Sequence, residues 1–338
     1  MHPLLLRVAL LLVGSGFCSL VYQIAWLRLL RLVFGASTAA SAAVLAIFMG
    51  GLGLGSLLLG PRADRARSPL GLYARLEIGI AVGAALSPLL VAAIRWLYLE
   101  VGGTQRLGLA GGTALRLLLA ALVLGGPAFL MGGTLPAAVR AITRAADAGR
   151  RGVGLLYAAN TLGAVAGTLA TTFVAIEHLG IARTLWVAAL LNLLIAISAR
   201  ALARSAPEPE AAPEPEAAPA GPLEAPREVP LEIDLPASPA SLPVVLAAAG
   251  TTGFVFFLME LVWYRMLGPI LGGTSYTFGL ILAVALLGIG VGGLVYGLGP
   301  ERVRPSLIGF AATCALEALA LVVPFALGDR LALLALHL

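Results

Sequence analysis

Charge is scarce in this sequence: 12% of its residues are Asp, Glu, Lys or Arg, against 60% hydrophobic, and the mean hydropathy is +0.99. A soluble domain carries about 25% charged residues, so this composition excludes a water-facing globular surface and indicates a polytopic membrane protein. Lysine is missing altogether and all 22 basic residues are arginine, a bias that carries no function of its own. The net charge of +5 does not point to nucleic acid, because the arginines cluster briefly between apolar runs, where they act as topology signals. Cysteine is almost absent. Cys18 and Cys314 both lie inside apolar stretches, which excludes a disulfide framework and a cysteine metal site. His2, His178 and His337 are scattered, so no metal or nucleophile constellation forms. No catalytic residue and no cofactor is expected.

What the chain does contain is long apolar runs. A bilayer core of about 30 Å takes about 20 apolar residues as a helix, and such runs lie near 5–33, 37–60, 70–98, 109–141, 152–176 and 181–200. "LLVGSGFCS" is a poor lipobox, with Phe17 before Cys18 and an apolar run that continues past it, and reads as an uncleaved first span. Residues 201–242 then hold 8 of the 17 acidic residues within a Pro/Glu/Ala composition that resists packing, a semi-extended linker. Three more runs follow near 243–271, 274–299 and 305–333. The expected fold is an all-α membrane protein of about nine spans: a six-helix half at 1–200, a linker, and the first three helices of a second half at 243–338. The arginine-rich loops 61–69, 140–151 and 199–205 share one side if spans alternate, which places the N-terminus and the linker in the cytoplasm.

Shifting the chain by 237 residues aligns 16–60 with 253–297 at thirteen identities in 45 positions, among them Trp26/Trp263 and Arg28/Arg265. Six spans separate the copies, so they run parallel, as in transporters built from two six-helix halves. The second copy has the expected partners for only part of that plan and reads as incomplete.

Gly50, Gly51, Gly53 and Gly55, repeated as Gly288, Gly290, Gly292 and Gly293, let helix backbones approach closely in lipid. Pro136 is expected to kink the fourth span. Intramembrane carboxylates are costly and therefore informative. Glu77 and Glu317 lie at similar depths in spans three and nine, while Glu260 matches the uncharged Gln23 in the repeat. Glu77, Glu317, Glu260, Gln23 and Asn160 form the candidate site for a cation or substrate at the interface of the halves, the same pattern being open to a structural reading. Trp26/Arg28 and Trp263/Arg265 fall at outer span ends. There they read either as interfacial anchors or, for Arg28 and Arg265, as an outer gate with Arg28 facing Glu260.

"GPRADRARSPLGLYARLE" resembles the signature between helices 2 and 3 of major facilitator transporters. It implies a cytoplasmic latch of Asp64 with Arg62, Arg65 or Arg67, beside the plainer reading of a topology determinant. "GFCSLVYQIAWLRLL", "AIFMGGLGLGS", "LMGGTLP", "LYAANTLGAVAG" and "LMELVWYRMLG" with "GGTSYTFGLILAVALLGIGVGG" together resemble the membrane part of bacterial fused spermidine synthase-like proteins, over nearly the whole chain except the linker. In that family a major facilitator-like membrane region precedes a soluble aminopropyltransferase-like domain. The resemblance implies a bacterial inner-membrane location, polyamines or related organic cations as ligands, and an aminopropyltransferase-like domain, fused or separate, as partner. Three functions stay open: a transporter-like module, a membrane anchor for such an enzyme, and a scaffold acting through the linker.

Overall fold

A computed structural model describes residues 3–34, 38–145, 150–205, 242–272, 275–299, 306–328, 330 and 333. In chain order the helices are α1 (Pro3–Phe34), α2 (Thr38–Arg65), α3 (Pro69–Glu100), α4 (Gly103–Gly132), α5 (Thr134–Ala145), α6 (Arg150–Ala170), α7 (Ile176–Ser205), α8 (Leu242–Leu271), α9 (Ser275–Leu298) and α10 (Leu307–Leu327). A π-helical turn, Thr171–Ala175, joins α6 to α7. No strand occurs among the described residues. The linker reading falls almost entirely on 206–241, outside them.

Seven of the described helical runs are long and apolar enough to cross a membrane. The difference from nine lies in two places. The runs expected at 152–176 and 181–200 join into one helical stretch, Arg151–Ser205. At about 1.5 Å per residue its 55 residues would extend about 80 Å as a straight rod, far beyond a bilayer core. The stretch is broken at Gly180, whose φ of 74° and ψ of 169° are not helical. The Thr184 hydroxyl donates to the carbonyls of Gly180 (2.7 Å) and Ala175 (3.1 Å) across that break. At the other end, the apolar part of α10 is the shorter Leu307–Val323.

Local chemistry sets several boundaries. Ser68 caps α3 from extended backbone (φ −124°, ψ 94°) by accepting from the Gly71 N–H, and Pro69 occupies the first helical turn, where its missing N–H costs nothing. α4 ends at Gly132, before Pro136, so the expected kink in the fourth span appears as a helix break at Gly133 between α4 and α5. Thr161, Thr168 and Thr171 each donate to the carbonyl four residues back, a bonding pattern that loosens a helix and leads directly into the π turn.

The bundle closes by backbone approach. In lipid there is little hydrophobic force between helices, so van der Waals contact at small residues drives association. A Cβ at Gly163 or Gly167 of α6 would fall on the carbonyl oxygens of Val13 and Phe17 of α1, and one at Gly16 on the Asn160 carbonyl. Gly55 of α2 and Gly132 of α4 meet backbone in the same way, against Phe129 and Leu52. The second copy uses different positions: Gly290 and Gly297 of α9 pack on Leu162 and Leu155 of α6, while Gly288 and Gly292 face open space. One core gathers around Tyr22 to Leu30 of α1 with α2, α3, α4, α7 and α9; another gathers around Leu5 to Leu12 with α3 and α5. α8 and α10 are mostly exposed.

Candidate functional site

The expected acids go to three different settings. Glu77 on α3 is fully buried and tied on two sides. Ser15 of α1 donates to its Oε1 at 2.6 Å, and Asn192 of α7 donates to its backbone carbonyl at 2.7 Å. One turn earlier, Tyr73 donates to the Leu11 carbonyl at 3.3 Å. Glu77 is thus the knot of α1, α3 and α7, with Oε2 left without a partner. Ser15 and Asn192 carried no signal in the sequence, since a lone Ser or Asn within an apolar helix looks like any other interhelical polar residue.

Glu317 lies exposed on α10, and the structure does not bring it to Glu77. Asn160 is half-buried on α6; its main-chain carbonyl is the atom that meets Gly16.

Glu260 lies on α8 and Gln23 on α1. Each is 2% exposed, and neither oxygen of Glu260 nor either amide atom of Gln23 has a hydrogen-bond partner. α1, the π turn, α8 and α9 meet through aromatic and arginine contacts. Arg31 of α1 donates to the Tyr264 hydroxyl at 3.3 Å, one turn beyond Glu260 on α8. Tyr264 meets Phe278 of α9 edge-on at 5.9 Å, and Phe173 of the π turn lies 5.7 Å from Tyr276. The Arg28 guanidinium lies 5.3 Å over the Tyr276 ring. No hydrogen bond joins Arg28 to Glu260: a cation–π contact holds Arg28 to the aromatic ring, and its Nε and Nη2, like both Glu260 oxygens, have no hydrogen-bond partner. Arg265 is exposed on α8.

Trp26 also departs from the anchor reading. It is fully buried, stacked on Tyr22 at 5.5 Å, and its indole N–H donates to Ser87 of α3 at 2.7 Å. A buried hydrogen-bonded indole is a core residue, not an interfacial one.

At the other end of α2, the partner of Asp64 is Arg140 of α5, with Nε to Oδ1 at 3.8 Å. Arg62 instead donates to the Leu58 carbonyl at 2.9 Å, capping its own helix, and Arg65 and Arg67 are exposed. Loop neighbours were the only candidates visible in sequence, whereas Arg140 arrives from a helix that packs against α2. With 70% of the Asp64 side chain exposed, the pair is weak: Arg140→Ala should change stability by less than about 1 kcal/mol, read as a small thermal shift that vanishes at high salt.

The chain is similar to polyamine aminopropyltransferases. Curated proteins of that name from two strains of Mycobacterium tuberculosis and from Mycobacterium bovis are each 34% identical to it over 181 residues. The aligned part is 52% of this chain and 32% of each relative, so the chain spans about a third of the length of the curated relatives it matches. No family profile and no solved structure matches.

Proposed function

We propose that this chain is the membrane module of a fused spermidine synthase-like protein and that it moves a polyamine or related organic cation, or delivers it to an aminopropyltransferase-like domain. The observation that carries the reading is the partial likeness to polyamine aminopropyltransferases in a chain whose described residues are helical and whose long runs are apolar. None of the chemistry of aminopropyl transfer needs such runs, so their role is the membrane.

The reading includes a major facilitator-like plan of about nine spans, two parallel halves joined by a cytoplasmic linker at 201–242, and a bacterial inner-membrane location. The aligned copies 16–60 and 253–297 support the two halves. The junction of α1, the π turn, α8 and α9, with its buried carboxylate, supports a cation path between them. The Asp64–Arg140 pair takes the place of the latch drawn within the α2–α3 loop.

Purified full-length protein in liposomes should take up labelled spermidine or putrescine with saturable kinetics. A protein that transfers aminopropyl groups yet gives no flux in either orientation is an anchored enzyme, which is the second reading. The scaffold reading requires the linker, and deletion of 206–240 with uptake intact removes it.

A further inference from the structure

The carboxyl of Glu77 lies inside a closed group of polar side chains from three helices. Ser15, Cys18 and Tyr22 come from α1, Tyr73 from one turn earlier on α3, and Asn192 from α7; each, like Glu77, is at most 2% exposed. Ser15 bonds Oε1 and Asn192 bonds the Glu77 main chain, while Cys18, Tyr22 and Tyr73 face the carboxyl.

Most of the donors in this group are spent elsewhere. Tyr73 donates to the Leu11 carbonyl and Cys18 to the Ala188 carbonyl, and the Asn192 amide is directed at the main-chain carbonyl of Glu77. Among the described residues Ser15 alone meets the carboxyl with hydrogen-bond geometry, and Oε2 is left without a partner. No cation offsets it either. Arg75, two residues away on α3, is exposed, and Arg140 of α5 is held at Asp64. α1, α2, α4 and α7, which also pack on α3, set no charged group against it. An ionised carboxylate here would be a buried charge with a single hydroxyl to stabilise it, a costly arrangement that a proton removes. Glutamine would fill the packed site equally well; what glutamic acid adds is a proton that it can give up.

We propose that Glu77 is a proton-binding site that clasps α1 to α3 and α7: Oε2 carries the proton while the three helices are packed, and releases it when α1 parts from the other two. Oε1 is then the carbonyl oxygen that accepts from Ser15. Release breaks the Oε2–H bond, leaves its electron pair on the carboxylate and hands the proton to water. Water reaches Glu77 through the seam that Ser15, Cys18 and Asn192 close. A proton needs no cavity, which suits a carboxyl enclosed on three sides.

The test uses the full chain in detergent and infrared spectra at neutral pH, where a protonated carboxyl and a carboxylate absorb at separate frequencies. Subtracting Glu77→Gln from wild type should leave a protonated carboxyl band and no carboxylate band. The same subtraction with Glu177→Gln, at an exposed carboxylate on α7, should leave carboxylate only. If Glu77→Gln does not elute as monodisperse protein, Ser15→Ala carries the test: it should shift the protonated carboxyl band, whose carbonyl has lost a donor. The clasp is read at Cys18 in a Cys314→Ser background, so that one thiol reports. Cys18 is 1% exposed and bonded to α7, so a thiol reagent reaches it when α1 parts from α7. As pH rises, its labelling should gain up to tenfold per pH unit over that in Glu77→Gln, the limit for one proton released on opening; the ratio cancels the reagent's own preference for thiolate. A carboxylate band in the wild type minus Glu77→Gln spectrum, or no band shift in Ser15→Ala, overturns the proton site. A labelling ratio that stays constant with pH overturns the clasp. Spermidine flux in liposomes is independent of these results, so the site can fail with transport intact or stand without it.

Discussion

Gly163→Leu should yield no monodisperse protein under conditions that give a single peak for the wild type on fluorescence-detected size exclusion. A side chain at 163 starts on the carbonyl oxygen of Val13, with the rest of the Val13 backbone directly behind it. Overpacking against side chains costs about 1–3 kcal/mol because they can rotate away. Backbone cannot, and α1 and α6 must separate along the contact that also seats Gly16 on Asn160 and Gly167 on Phe17. The expected cost is therefore at or above the upper end of that range. Gly53→Leu and Gly288→Leu face open space and should elute like the wild type, since leucine is also the better helix former. If all three variants behave alike, close approach of α1 and α6 does not hold the bundle.

Trp26→Ala should destabilise by about 3–5 kcal/mol, the range for removing a fully buried large aromatic side chain, read by thermal or SDS unfolding. The loss combines the stack on Tyr22, the edge contact to Phe48 at 6.2 Å and the bond to Ser87. Trp26→Phe keeps most of the packing and should forfeit about 1 kcal/mol for the hydrogen bond. The repeat partner Trp263 is half-buried, so Trp263→Ala should cost clearly less. Equal losses at both positions would mean that the two copies are packed equivalently.

The difference between those two tryptophans shows where sequence reading ends. Apolar length alone located the helical runs, and the gap expected after residue 176 coincides with the break at Gly180. The glycines announced close helix contact. Which glycines are in contact was not legible, because Gly51 and Gly55 touch α4 in one copy while Gly290 and Gly297 touch α6 in the other. Periodicity marks a face without naming its neighbour.

The polar residues divide the same way. Glu77 and Glu260 stood out as acids in apolar runs, but their settings depend on partners far along the chain. Ser15 lies 62 residues from Glu77 and Asn192 lies 115, and neither has a spacing that links it to a carboxylate. Trp26 with Arg28 matches an interfacial pattern in sequence; only the position of Ser87 on α3 turns it inward. Arg140 was hidden as a partner of Asp64 because topology signals and ion-pair partners are the same residue type.

The bond between Cys18 and the Ala188 carbonyl joins residues 170 apart, and it bears on how the protein is made. At about 5–20 residues per second of synthesis, α1 waits on the order of 10–30 s for α7. During that time the α7-facing side of α1 at Cys18 has no permanent neighbour, and α3 carries Glu77 into the membrane before Asn192 exists. The insertion machinery, or lipid alone, must hold these surfaces open until α6 and α7 arrive. The first helix made is among the last to be sealed, so a ribosome-stalled chain that stops before residue 192 should remain accessible to thiol reagents at Cys18, and one that has released α7 should not.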